Sequence, residues 1–177
     1  MDAVKRRKIQ DIAEKIHYTL DLQAPVDLKA VTKTLGGKVI GRDLPEEIDA
    51  QIEKSGDAFK IIVNNKKTNT RRKNFSIAHE FGHLFIHMGY LINPGKWESV
   101  SIYTDSVYYR FGHDEEELEA NEFAAAFLMP EKKYREKIKE LTDKKGLCDI
   151  SKVADHFGVS REAALNRGRW LDIFSWE

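Results

Sequence analysis

The sequence has little cysteine, no long apolar run and no net charge, and each shortage excludes a class of protein. Cys148 is the one cysteine among 177 residues, so the chain has neither a disulfide framework nor a cysteine-rich zinc site. No apolar stretch approaches the roughly 20 residues that a membrane-spanning helix needs. Lysine and arginine together number 29, as do aspartate and glutamate, and this balance argues against a protein whose main task is to bind nucleic acid.

The amino-terminal residues also lack the apolar segment of a secretory signal. They begin with the charged run Lys5-Arg6-Arg7-Lys8, and no apolar region follows it. The sequence therefore predicts a cytoplasmic protein. With 41% hydrophobic residues, a chain of this length can bury one core, which predicts one domain with room for a small appendage.

The sequence does contain one strong functional pattern, the zinc-binding motif His-Glu-x-x-His at residues 79–83. On a helical projection, His79 and His83 lie one turn apart on the same face, so both rings can reach one ion. The opposite face is apolar and is predicted to pack on the core; it consists of Ile77, Phe81, Leu84, Phe85 and Met88. Glu80 borders the two histidines, where a carboxylate can contact water without binding the ion. Gly82 offers no side chain, so another backbone can pack closely there.

A catalytic zinc ion needs a third protein ligand and an open position. Residues 114–129 predict a second helix, and this helix carries the candidate carboxylates Glu115, Glu116, Glu117, Glu119 and Glu122. Glu117 shares a narrow arc of the projection with Asn121 and with Ala124, which is small enough for close approach to another helix. We therefore predict Glu117 as the third ligand and Asn121 as the hydrogen-bond partner of a histidine. Glu119 lies nearly opposite on the projection and remains the alternative ligand.

These residues together predict hydrolysis of a peptide bond. A zinc ion lowers the pKa of water and polarises the scissile carbonyl, and Glu80 is the predicted general base that later passes the proton to the leaving amine. A further donor to the oxyanion is expected. Its candidates are Tyr108, Tyr109, Arg110, His113 and His87, and the sequence does not choose among them.

The rest of the chain predicts helices packed on a small mixed or antiparallel sheet, an α+β fold. Residues 2–20 have the apolar spacing of an amphipathic helix. A short helix capped by Asp27 precedes a short strand at residues 38–41. Alternating apolar residues on both sides of Ser55-Gly56-Asp57 predict a β-hairpin.

Near the carboxyl end, residues 149–164 predict two short helices joined by a Phe-Gly-Val turn, which resembles a helix-turn-helix. The second helix offers few groups that read bases, chiefly Arg161 and Asn166. Because the chain also lacks net positive charge, direct DNA binding is disfavoured and a packing role is expected. The predicted organisation is a metallopeptidase domain at residues 1–145, with residues 146–177 packed against it.

Two motifs together resemble the ImmA/IrrE family of metallopeptidases. They are His79-Glu80-Phe81-Gly82-His83 and Glu117-Leu118-Glu119-Ala120-Asn121-Glu122-Phe123-Ala124-Ala125-Ala126-Phe127-Leu128-Met129-Pro130. The resemblance implies a zincin-like fold with His79, His83 and one glutamate on zinc, and its similarity to the Glu-x-x-x-Asp helix of gluzincins favours Glu117. Family members include cytoplasmic proteases that cut repressors of mobile elements and stress regulons. The resemblance therefore implies a helix-turn-helix repressor as the substrate.

Two alternatives to a peptidase remain open at this point. The first is a metal-binding regulatory module that docks a repressor without cleaving it, and the second is a DNA-binding regulator built on residues 149–170. The intact Glu80 favours an enzyme, because zinc binding alone does not need this carboxylate.

Overall fold

The structure is a computed structural model that describes residues 1–100 and 115–176. In these ranges the chain forms α1 (Ala3–Thr19), α2 (Leu28–Thr34), β1 (Lys38–Arg42), β2 (Ala50–Ser55), β3 (Ala58–Asn64), α3 (Thr70–Gly82), α4 (Pro94–Ser99), α5 (Glu115–Leu128), α6 (Glu131–Leu141), α7 (Ile150–Phe157) and α8 (Arg161–Trp170). The predicted α+β class is confirmed. The oxyanion candidates Tyr108, Tyr109, Arg110 and His113 lie outside the described residues. A bilayer-crossing helix is absent from the described ranges, since no helix there pairs sufficient length with sufficient apolar character.

Most of these helices begin at a short polar side chain that accepts a hydrogen bond from a backbone N–H of the first turn. Such a cap satisfies a donor that the helix itself leaves without an acceptor. The capping residues are Asp2, Asp27, Asn69, Asn93, Asp149 and Ser160. The cap predicted at Asp27 is therefore confirmed, and its side chain accepts from the backbone N–H groups of Lys29 and Ala30.

The sheet has three strands in the order β1-β3-β2, with β3 in the centre. β3 pairs antiparallel with β2, so the predicted hairpin is confirmed, and Ile52 lies opposite Ile61. β3 also pairs parallel with β1, where Val39 lies opposite the same Ile61. Ile52, Phe59 and Ile61 are fully buried in the main core. The adjacent Ile62 packs instead in a small second cluster, as expected when successive side chains of a strand point to opposite faces.

The core is built in layers around α3. One side of α3 packs on β2 and β3, the other side packs on α5, and α5 packs in turn on α1. The Phe81 ring of α3 meets the Phe127 ring of α5 with centroids 5.7 Å apart, and Phe123 stacks on Phe127 at the same separation. Burial of each such ring stabilises the fold by about 1.5–3 kcal/mol.

Close approach of α3 and α5 depends on Gly82. A Cβ atom at this position would lie 2.6 Å from the Cα of Ala120, so any other residue would push the helices apart. Both Ala120 and Ala124 are fully buried, and the close backbone packing predicted at Gly82 is confirmed, with Ala120 as its partner. It brings Glu117 and Asn121 of α5 next to the histidines of α3.

At the carboxyl end, α7 and α8 form the predicted pair of helices with a turn between them. Gly158 ends α7 with a left-handed φ of 67°, a conformation that glycine adopts without steric cost. The Tyr134 hydroxyl of α6 donates to the carbonyl of Ala164 in α8 at 2.5 Å. Arg167, only 1% exposed, forms ion pairs with Glu14 of α1 and Glu122 of α5. These contacts hold α8 against the helices of the core.

Candidate metal centre

The histidines lie where α3 changes its helical geometry. α3 ends at Gly82 and is followed by a π-helical turn, His83–His87, in which the Met88 N–H donates to the His83 carbonyl at 2.8 Å. A regular α-helix through Met88, as the apolar spacing predicts, is therefore wrong over the last turn. The spacing does not separate the two geometries, because Leu84, Phe85 and Met88 are buried in the wider turn as well. Turns of this kind occur frequently at functional sites.

His79, His83 and Glu117 converge on one point. The Nε2 atoms of His79 and His83 lie 3.0 Å apart. Glu117 Oε2 lies 3.3 Å from His79 Nε2, and Glu117 Oε1 lies 3.1 Å from His83 Nε2. Both histidines are buried, and Glu117 is half-buried. The sequence-predicted ligands are thus brought together by α3, the π-helical turn and α5.

The spacing of these atoms suits a small tetrahedral metal ion. Zinc binds imidazole nitrogen and carboxylate oxygen at about 2.0–2.2 Å, which separates tetrahedral ligand atoms by about 3.3 Å. The three separations of 3.0, 3.3 and 3.1 Å are close to this value. Two imidazoles and one carboxylate are also an established ligand set of catalytic zinc sites. The described residues therefore fit the metal that the sequence predicts.

Electrostatics favours a charged Glu117 in this cluster. Burial raises the pKa of the Glu117 carboxyl, but hydrogen bonds and charge interactions with His79 and His83 outweigh burial and hold the pKa well below its usual range. Glu117 is therefore ionised at neutral pH, and its negative charge can offset part of the charge of a bound cation.

Asn121 lies one turn along α5 and contacts His79 from behind. His79 Nδ1 lies 3.0 Å from Asn121 Oδ1. An amide oxygen only accepts, so His79 Nδ1 carries a proton whether Nε2 is hydrogen-bonded to Glu117 or binds a metal ion. This is the histidine support predicted for Asn121, and partners of this kind fix the orientation of ligand rings.

Glu80 follows His79 directly and is completely buried. The helix places it on the border of the histidine face, where the sequence predicts a general base.

His87 and Glu119 lie on the other side of His83. His87 Nδ1 is 2.9 Å from His83 Nδ1, and His87 Nε2 is 3.2 Å from Glu119 Oε2. Glu119, the alternative ligand, therefore contacts His87, whereas Glu117 contacts both histidines of the cluster. His87 contacts the Nδ1 atom of His83 and not the Nε2 side, which disfavours it as the oxyanion donor. Burial, followed by the effect of His83, lowers the pKa of His87 to about 4, so the ring is neutral at neutral pH.

The sequence reasoning missed the role of His87 as the partner of His83. The signal was present, because His83 and His87 are four residues apart, the same spacing that relates His79 to His83. The pairing of Glu119 with His87 has no comparable signal, since it depends on how α5 crosses the π-helical turn.

A cleft of about 720 Å³ lies between α3, α5 and α8, behind His79 and on the side away from the metal cluster, and none of His79, His83 and Glu117 lines it. Asn121, the partner of His79, lines the cleft together with Phe75 and Trp170. Several of its charged side chains are paired with each other, including Arg72 with Asp49 at 2.5 Å. Arg71 pairs likewise with Asp155 at 2.6 Å, so the basic start of α3 is neutralised by carboxylates from other parts of the fold.

Comparison with known proteins identifies a family and solved structures of similar fold. Residues 33–168, well over half of the chain, match the model of peptidase family M78, described as the IrrE N-terminal-like domain. No curated protein matches the sequence. The structure is similar to a Mycobacterium tuberculosis transcriptional regulator, with a TM-score of 0.63 and 20% sequence identity over 92% of this chain. The match covers 47% of the regulator, so this chain spans about half the length of that protein.

Proposed function

The chain belongs to the ImmA/IrrE family of metallopeptidases, peptidase family M78, and from this premise we propose that it is a zinc-dependent endopeptidase with a zincin-like fold. The observation that carries the proposal is the convergence of His79, His83 and Glu117, whose ligand atoms all lie within 4.8 Å of one another. The family implies a metal ion and a protein substrate. The choice of zinc and the assignment of roles to single residues rest on the ligand types and their spacing.

In the proposed site, His79, His83 and Glu117 hold the ion. When bound, zinc polarises a carbonyl group and makes water a stronger acid. Asn121 keeps the proton of His79 on Nδ1, so that Nε2 is available as a ligand. The ionised Glu117 supplies the negative charge of the ligand set.

Glu80 moves the proton. As the oxygen of the attacking water bonds to the scissile carbonyl carbon, the Glu80 carboxylate accepts a proton from that water. It then delivers the proton to the amide nitrogen as the C–N bond breaks, which releases a neutral amine and a carboxyl product. Because Glu80 is fully buried, neither transfer has to compete with bulk solvent at the carboxylate.

The proposed substrate is a helix-turn-helix repressor, in keeping with the family. This choice rests on the family and not on the cleft of about 720 Å³, whose lining residues do not include His79, Glu80, His83 or Glu117.

Replacement of the general base tests the proposal. Glu80→Gln keeps the size of the side chain and removes the basic oxygen, so zinc content should stay at the wild-type level. Cleavage of the repressor encoded by a neighbouring gene should fall by about 10² or more, because general-base catalysis contributes about 10²–10⁴. The measurement is the rate of product formation by wild type and variant at matched zinc occupancy, with chelator-treated wild type as the control.

Two other outcomes contradict the proposal in different ways. Equal relief of repression by both proteins, without cleavage product from either, would identify a metal-binding module that acts by docking. Equal cleavage by both would show that Glu80 is not the base.

A further inference from the structure

A chain of polar contacts runs from His83 away from the metal cluster to the amino-terminal helix. His83 Nδ1 meets His87 Nδ1 at 2.9 Å, and His87 Nε2 meets Glu119 Oε2 at 3.2 Å. The other oxygen of Glu119, Oε1, forms an ion pair with Lys5 Nζ of α1, which also contacts Glu115 at 3.1 Å. We call His87, Glu119 and Lys5 the His83 relay.

The donors and acceptors of the relay are consistent with one arrangement of protons. A His83 ring that binds metal through Nε2 carries its proton on Nδ1, so Nδ1–H donates to His87 Nδ1. His87 then carries its own proton on Nε2 and donates it to the Glu119 carboxylate. Glu119 is in turn held by the ammonium group of Lys5. Each link fixes the tautomer of the next ring.

The inner part of the relay is shielded from water. His87 and Glu119 are both buried, and hydrogen bonds that involve an ionised group are strong in such surroundings. Lys5 is different, because its side chain is 44% exposed and an ion pair at such a position contributes little by itself. The relay is therefore strongest next to His83 and weakest at α1.

We propose that the His83 relay positions His83 and thereby sets the affinity of the metal site. This inference rests on the proposed metal site. His87 and Glu119 are positioning residues that act through His83, and α1 contributes through Lys5. The relay does for His83 what Asn121 does for His79, with an imidazole and a carboxylate in place of one amide.

A second reading of the same residues is a second metal ion. His83, His87 and Glu116 each offer a ligand atom, and these atoms also lie within 4.8 Å of one another. The separation of 2.9 Å between the two Nδ1 atoms is a usual hydrogen-bond length but also fits two ligands of one ion; Glu116, however, is exposed, and the other nitrogen of His87 already contacts Glu119. The proposal therefore treats this contact as a hydrogen bond, and metal stoichiometry distinguishes the two readings.

The test is the dissociation constant for zinc, measured by competition with a chromophoric chelator in the absence of substrate. His87→Phe keeps a ring and removes the acceptor of the His83 proton, and it should weaken zinc binding by about 10–100-fold, the usual effect of losing such a partner. His87→Gln retains an oxygen acceptor and should lose less. Lys5→Met should lose less than His87→Phe, while Lys8→Met, at an exposed position of the same helix, should match wild type.

A second measurement separates positioning from mere structural support. The thermal midpoint of the metal-free protein is recorded for each variant, with His156→Phe on α7 as a histidine replacement outside the relay. Weaker zinc binding with an unchanged midpoint supports the proposal. An unchanged dissociation constant for zinc in His87→Phe overturns it. Weaker zinc binding that is fully explained by a lower thermal midpoint of the metal-free variant overturns it as well.

The stoichiometry of the wild type provides the remaining outcomes. One zinc per chain agrees with the proposal. Two zinc ions per chain, falling to one in His87→Phe, would overturn the relay in favour of a second metal ion. A wild-type protein that binds no zinc would refute the metal site of the proposed function itself, a result distinct from failure of the relay.

Discussion

At the scale of single residues, His79 and His83 differ in what holds them. His79 donates to a side-chain amide, Asn121, on a neighbouring helix, whereas His83 contacts a second imidazole that leads to a carboxylate. Both arrangements leave Nε2 directed into the cluster. Loss of one partner should therefore disturb one ligand without disturbing the other.

Two carboxylates of α5, two residues apart, should respond very differently to the same replacement. Glu117 contacts both histidines of the cluster, and Glu119 contacts His87 and Lys5. Glu117→Gln removes a charged ligand and should weaken zinc binding by more than about 100-fold, beyond the usual range for an outer partner. Glu119→Gln should weaken it far less. Zinc-competition titrations of the two variants check the order, and the reverse order would transfer the third ligand to Glu119.

The ligand set could be predicted from the sequence because helical spacing alone determines which side chains share a face. The two histidines follow from the projection of α3 and the need for a third ligand points to α5, where the projection favours Glu117 and leaves Glu119 as the alternative. The contact between Glu119 and His87 could not be predicted, because it depends on the angle between two helices. The oxyanion donor also stays undetermined, since four of its five candidates fall outside the described residues.

At the scale of elements, the site is positioned by the close contact of α3 with α5 at Gly82 and Ala120, which we call the seam. α3 carries His79, the π-helical turn that follows it carries His83, and α5 carries Glu117, so the separation of the helices at Gly82 determines whether the three proposed ligand atoms can share an ion. The packing there is already tight, since a Cβ on Gly82 would lie 2.6 Å from the Ala120 Cα and 3.0 Å from the Ala120 carbonyl oxygen.

Gly82→Ala should therefore damage both stability and metal binding. The added methyl group forces α5 away from α3, which should cost about 1–3 kcal/mol of unfolding free energy, as overpacking typically does. Zinc affinity should fall as well, because Glu117 moves with α5. Gly95→Ala is the matched control, since a Cβ at Gly95 comes no closer than 3.7 Å to another atom. Denaturant unfolding and zinc titration of both variants provide the measurement, and wild-type behaviour of Gly82→Ala would refute the role of the seam.

Periodicity and capping residues predict most of the elements, but not how they join. The hairpin of β2 and β3 follows from alternation and a turn, whereas the parallel pairing of β1 with β3 is a long-range choice that no local pattern encodes. The π-helical turn was missed for a related reason. Its hydrogen bonds shift from the fourth to the fifth residue without changing which side chains are buried.

At the scale of the whole molecule, Arg167 links three helices that are distant in the sequence. Its guanidinium pairs with Glu14 of α1 at 3.2 Å and with Glu122 of α5 at 3.4 Å, and it donates to the Met129 carbonyl at 3.0 Å. No local pattern indicates this role, because an arginine in the second helix of a helix-turn-helix pattern first indicates a DNA contact. Burial instead assigns it to the interior.

Arg167→Met should destabilise the protein by about 1–3 kcal/mol, because the buried Glu122 loses one of its two cationic partners and keeps Arg6, while the half-buried Glu14 loses its pairing with Arg167. Arg161→Met is the matched control on the same helix, where the side chain is exposed, and it should change the unfolding free energy by less than about 0.5 kcal/mol. Urea unfolding of the metal-free proteins measures both. Equal stability of the two variants would contradict a structural role for Arg167.

The helix α1 lies before residue 33, where the family match begins. Yet Ile9 and Ala13 are buried in the main core, and Gln10 donates to Glu122 at 2.6 Å. A fragment trimmed to the matched region would keep every proposed ligand but would lose α1 and its buried core residues. The family match begins at residue 33, whereas the helix that completes the core begins at Ala3, about thirty residues earlier.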